Sequence, residues 1–116
     1  MYKVAVGRGA VSVQAPTFLE DKSGKGKVIV ASIKSYDDTI HSFVQRTGFT
    51  GLFMPNYEEV KPDPITNLLG ELKYSHIDHV VANHQSIETH VEYYQKILDF
   101  HKYWSIDETL LHTEYR

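Results

Sequence analysis

Hydrophobic and polar positions follow two periods along this chain, and the places where each period fails divide it into parts. Tyr2 to Ala10 has the spacing of a helix tail, closed by Gly7 and Gly9. A strand follows through Val11, Val13 and Ala15, and Pro16, which has no N–H to give a sheet ladder, is expected to interrupt it. Residues 20 to 27 form a polar, Gly-containing connection of the hairpin type, whose charges read as a solvated turn. Lys27 to Ile33 is apolar on both alternating faces, as a central strand covered on both sides requires. Thr39 to Gln45 gives a further strand, and Gly48 and Gly51 punctuate its exit. From Met54 to Leu72 the periodicity fails: Pro55, Pro62 and Pro64 sit among acidic and polar residues, and the stretch reads as a linker.

Alternation resumes at Ser75 to Ala82, where Ile77, His79 and Val81 share one face of an expected strand. Asn83 to Ser86 reads as a turn, with Ser86 placed to cap a helix. Ile87, Val91, Tyr94 and Leu98 then recur at helical spacing. Phe100 to Ser105 and Leu110 to Tyr115 read as two strands joined through Ile106-Asp107-Glu108. The order strand, helix, strand, strand predicts an α+β protein, and no internal repeat is visible.

Composition narrows the classes. With 116 residues, of which 41% are hydrophobic and 23% charged, the chain suits one modest core and not disorder. A net charge of −3 gives no basic face, so nucleic acid is not an expected partner. The absence of Cys excludes disulfides, thiolate metal sites and Cys nucleophiles. No apolar run approaches the roughly 20 residues of a membrane span, and the N-terminus lacks the pattern of a signal peptide. A cytoplasmic protein without membrane contact is the default expectation.

Seven His make imidazole the chemistry to weigh. His79, with apolar neighbours on its face, is expected to be buried, and a buried imidazole needs a partner for each nitrogen. The residues alone favour a core His satisfied by nearby oxygens over a metal ligand. His76 falls three residues away, on the opposite face, and cannot share an ion with it without a bulge. His112 and Glu114 share a strand face but lack a third ligand, so a cross-strand pair is the simpler reading. His84, His90 and His101 fall in a turn, on the exposed helix face and at a strand start, without visible partners. Asp37-Asp38 and Asp107-Glu108 sit in turns, where acidic side chains bond their own backbone. Tyr103 and Trp104 most simply provide core packing.

Set together, these runs resemble the 4-hydroxyphenylpyruvate dioxygenase family. The motifs are Asp78-His79-Val80-Val81-Ala82-Asn83, Tyr93-Tyr94-Gln95-Lys96-Ile97-Leu98-Asp99-Phe100-His101, Trp104-Ser105-Ile106-Asp107-Glu108-Thr109 and His112-Thr113-Glu114-Tyr115. Upstream, the pattern from Asp21 to Val30, the run Ser35-Tyr36-Asp37-Asp38-Thr39-Ile40-His41 and the run Thr50-Gly51-Leu52-Phe53-Met54-Pro55 also fit, so the likeness covers nearly the whole chain. Ala82 stands where the family usually has Gly.

The resemblance implies a vicinal-oxygen-chelate fold built from βαβββ modules, both incomplete here. Residues 1–56 correspond to most of the second module of a non-catalytic N-terminal domain, 57–74 to a linker, and 75–116 to the start of an iron-binding C-terminal domain. It implies Fe(II) held by two His and one Glu, with His79 as the first ligand and the other two beyond the matched stretch; His112 and Glu114 match a segment that holds no metal. Val81, two residues on along the same face, is implied as a substrate-pocket residue. The implied activity converts 4-hydroxyphenylpyruvate and O2 to homogentisate and CO2 in tyrosine and phenylalanine catabolism. The isolated chain is expected to be inactive, and its open sheet edge is expected to favour a homo-oligomer. The alternatives are a hydroxymandelate synthase-like enzyme, or a non-catalytic truncated chain that acts only through self-association.

Overall fold

The computed structural model describes residues 1–70 and 73–106. Its elements are α1 (Tyr2–Gly7), β1 (Ser12–Glu20), β2 (Lys27–Lys34), β3 (Ile40–Gln45), α2 (Pro64–Leu69) and α3 (Ile87–Leu98). The strands form one antiparallel sheet in the order β1-β2-β3, an α+β arrangement compatible with part of a βαβββ module.

β2 is central, as its doubly apolar pattern requires. Six consecutive residues, Val28 to Ile33, are buried or half-buried, and both Lys ends are exposed. Ala31 faces Phe43 and Ile33 faces His41 across the β2–β3 ladder, so these four share one face of the sheet. That face carries the core: Ile33, fully buried, joins Ala5 and Ala10 from α1 and its exit and Ile97 from α3, with Tyr2, Phe43, Tyr93 and Leu98 around them. Burying a side chain such as Ile33 contributes about 1.5–3 kcal/mol. On the other face Ser32 and Ser42 join their hydroxyls at 2.8 Å.

Pro16 does not end β1. The strand runs through it to Glu20, and the ladder to β2 slips between Gln14 and Thr17. Among the described residues β1 has no further neighbour in the sheet, so the missing N–H of Pro16 and the bulge fall where a sheet tolerates them. The β1–β2 connection is also more than a solvated turn. Asp21 accepts from the Ser23 hydroxyl and N–H and from the backbone N–H of Asn56, while Asn56 Oδ1 accepts from the Lys22 N–H. These bonds tie the hairpin to the segment after β3 and hold the Asp21 carboxyl down from 3.8 to about 2.

The stretch expected to be wholly linker contains α2, started by Asp63, whose side chain accepts from the Ile65 N–H at 2.8 Å. Asp-Pro at the helix entry is the sequence signal for this single turn and a half. Residues 75–82 and 100–105, expected as strands, have no regular structure, and the first run is exposed throughout. A strand persists only with a hydrogen-bonded neighbour, and among the described residues none pairs with either run. The strand expected over 110–115, with His112 and Glu114, lies outside the described residues.

α3 matches its predicted span. Ser86 occupies its N-cap position but makes no capping bond; its hydroxyl donates to Glu88 at 2.8 Å instead. The Glu88 carboxyl is lowered first by its own backbone N–H and then by Ser86, so it takes over the neutralising role at the helix start. Asp99 ends the helix in the left-handed region at φ 66°. The buried face runs through Tyr93 and Ile97, while Ile87, the first residue of the expected stripe, is exposed.

Candidate functional site

α3 is fixed to the sheet by two tyrosines. The Tyr93 hydroxyl donates to the Lys34 carbonyl at 2.7 Å, and the Tyr94 hydroxyl lies 2.9 Å from His41 Nε2. Burial raises the Tyr93 phenol, with the neighbouring Tyr94 adding a smaller push the same way, so this hydroxyl stays a donor at physiological pH. Arg8 and Asp99 add an ion pair at 3.4 Å between the ends of α1 and α3, exposed enough to contribute little.

Between α3, the β2–β3 turn and the irregular runs lies a cavity of about 1120 Å³. Phe43, Val80, Leu98 and Trp104 supply apolar walls, and His41, His84, His90 and His101 place four imidazoles on them. The His84 and His90 rings stack with centroids 3.4 Å apart and planes 26° from parallel. Tyr36 sets its ring edge-on to both, at 4.3 and 5.3 Å. Sequence reasoning found no partner for these two His, because the pairing joins a turn to a position six residues along and recruits Tyr36 from β3's approach. The only signal was the density of His between residues 76 and 101.

His79 stands apart from this cavity. It is exposed, not buried as its apolar neighbours led one to expect, because the run that carries it has no sheet to lie in. Its Nδ1 bonds Asp78 Oδ2 at 2.5 Å. With the Nδ1 proton donated to Asp78, Nε2 carries the lone pair, which is the arrangement a metal-ligating imidazole takes when a carboxylate orients it. Val81 is exposed too, and it is Val80 and Ala82, on the alternate side of the chain, that reach the cavity. Tyr103 and Trp104, expected in a core, are 99% and 70% exposed, since nothing among the described residues covers them. Among the described residues no three His, Cys, Asp or Glu come together as a metal-holding group, and no helix is long and apolar enough to cross a membrane.

Fold and local chemistry define an α+β chain with a helix-covered antiparallel sheet and an oriented, accessible imidazole in an Asp-His-x-Val run. Proteins similar to it over its whole length are dioxygenases. That of Tetrahymena thermophila, named 4-hydroxyphenylpyruvate dioxygenase, is 36% identical over 118 residues, covering 99% of this chain and 29% of the relative. The proteins of the same name from Dictyostelium discoideum and Xenopus tropicalis are each 40% identical over 119 residues, with 99% of this chain and 32% and 30% of the relatives covered. The chain is therefore homologous to a segment of 4-hydroxyphenylpyruvate dioxygenase, and it spans about three tenths of the length of the curated relatives it matches. No family model matches it.

Proposed function

We propose that this chain is part of an Fe(II)-dependent 4-hydroxyphenylpyruvate dioxygenase, which converts 4-hydroxyphenylpyruvate and O2 to homogentisate and CO2 in tyrosine and phenylalanine catabolism. The observation that carries the reading is identity of 36–40% to several proteins of that name across 99% of the chain. Residues 1–56 are the partial second module of the non-catalytic domain in this reading, 57–74 the connection, and 75–116 the start of the iron-binding domain, in a vicinal-oxygen-chelate fold. The same proposal takes the enzyme to be cytoplasmic, from its composition, and homo-oligomeric, from its open sheet edge.

His79 is the proposed iron ligand. Its lone pair on Nε2, fixed by Asp78 on Nδ1, suits that role. One imidazole does not hold Fe(II) against water, so the described residues supply one corner of a facial triad and the remaining two belong to other parts of the enzyme. The iron, once held, supplies chelation of the α-keto acid and activation of O2. This chain's part is to orient one ligand and to offer Val81 as an apolar wall of the pocket, which excludes water from the reacting centre. The proposed chemistry lies at His79, not in the cavity beside α3, because the cavity's imidazoles fall outside the Asp-His-x-Val run.

Product analysis of the full-length protein supplied with Fe(II), 4-hydroxyphenylpyruvate and O2 tests the reading. Homogentisate is the expected product. Accumulation of 4-hydroxymandelate would assign the chain to the related synthase reaction, and no O2 consumption at all would leave the non-catalytic alternative.

A further inference from the structure

The two outer strands of the sheet are built differently. β1 carries Pro16 and a slipped ladder, both of which discourage an edge strand from pairing with another chain. β3 carries neither device: it contains no Pro, Lys, Arg, Asp or Glu, and its register against β2 is unbroken from Ile40 to Gln45. The ladder also fixes where its backbone groups point. The Ser35 N–H donates to the Thr39 carbonyl, and the Lys34 N–H turns the other way, to Val11. Bonded and unbonded residue pairs alternate in an antiparallel ladder, so His41, Phe43 and Gln45 bond β2, while Ile40, Ser42 and Val44 direct their N–H and C=O groups away from it. Among the described residues no backbone group meets these three donors and three acceptors.

We propose that β3 is a dimerisation edge whose occupant is β3 of a second copy, antiparallel across a two-fold axis at Ser42. In that register Ser42 faces Ser42 of the second copy, and Ile40 faces its Val44. These are the outward-directed residues, so the three N–H groups of each strand all find carbonyls and the pair closes with six hydrogen bonds. An axis at His41 or Phe43 would leave one outward residue of each strand without a partner in β3, so Ser42 is the register that uses all of them. The side chains agree with it. Ile40 and Val44, 48% and 44% exposed, cover one another on one face, and His41 meets Phe43 of the second copy on the other. The inference rests on the homo-oligomeric part of the proposed reading and not on iron at His79.

The test combines light scattering of the full-length protein with cross-linking of its Ser42→Cys variant. Scattering should give twice the chain mass. Across a bonded antiparallel pair the Cα atoms lie about 5.5 Å apart, within disulfide reach. Oxidation of Ser42→Cys with diamide should therefore join the two substituted positions, identified by mass spectrometry of the digested dimer. Ile40→Lys combined with Val44→Lys sets like charges opposite each other twice and should weaken association roughly 10-fold or more. Val13→Lys, on the exposed β1, should leave association within about twofold. Far-UV circular dichroism checks that each variant is folded, and the disulfide reading does not depend on the Lys variants. An oligomer that forms no such disulfide overturns β3 as the contact while the homo-oligomeric reading stands. Association unchanged in the double Lys variant does the same. A monomer overturns both, and protection of the Ile40, Ser42 and Val44 amides from hydrogen exchange in that monomer would assign the edge to another strand of the same polypeptide.

Discussion

Ile33 is where α1, α3 and the central strand meet, and it is fully buried. Ile33→Ala removes atoms that its neighbours cannot replace, and chemical denaturation should record a loss of about 2–5 kcal/mol. Tyr93→Phe is a gentler probe. It keeps the ring on α3 and removes only the bond to the Lys34 carbonyl, so about 0.5–1.5 kcal/mol is expected. At this scale the sequence was legible where burial follows from the immediate pattern, as at Val28, Val30 and Ile33. It misled at His79 and Trp104, whose apolar neighbours promise burial that only other segments can provide. Nor did it reveal the partners of His84 and His90, because a ring stack between a turn and a helix has no period.

At the scale of elements, the hairpin between β1 and β2 depends on Asp21 and on a close approach at Gly26. Gly26 has φ +107°, and a Cβ built there would lie 3.0 Å from the Gly48 carbonyl oxygen. Gly26→Ala should therefore cost about 1–3 kcal/mol, read from the shift in the unfolding midpoint. Asp21 brings a pH dependence whose sign is fixed by its depressed carboxyl. Folding favours the charged form, so its contribution is complete above about pH 4, and it fades as pH falls from 3.8 through about 2. Asp21→Ala should melt below the unsubstituted protein at pH 6, and the gap should narrow as pH approaches 2. A gap constant over that range would mean that the carboxylate charge contributes nothing. β2, β3 and α3 were readable because each carries its own period; α2 escaped notice because one Asp-Pro cap and six residues are too short to establish one. The runs 75–82 and 100–105 show the converse, an alternating pattern without a neighbouring strand to realise it.

For the whole molecule, the Cα radius of gyration is 19.6 Å, against about 13 Å for a compact chain near this length. The sheet half holds most of the core, and the second half is joined to it mainly through α3. Val80, Tyr103 and Trp104 are exposed at 91%, 99% and 70%, an apolar surface that suits the proposed place of this chain in a longer enzyme. The α+β class was legible from periods alone, whereas the proposal of iron at His79 came only through resemblance, because no local pattern singles that imidazole out. On the proposed reading, intact mass of the endogenous protein, captured with an antibody to residues 84–96, should lie well above 13.3 kDa.

The central claim is that His79 is a ligand of the iron that carries the dioxygenase reaction. Iron content and homogentisate formation should be measured together in full-length protein with and without His79→Ala. The account predicts that the variant, still folded, loses bound Fe(II) and turnover together. Retention of iron and activity by His79→Ala would contradict it.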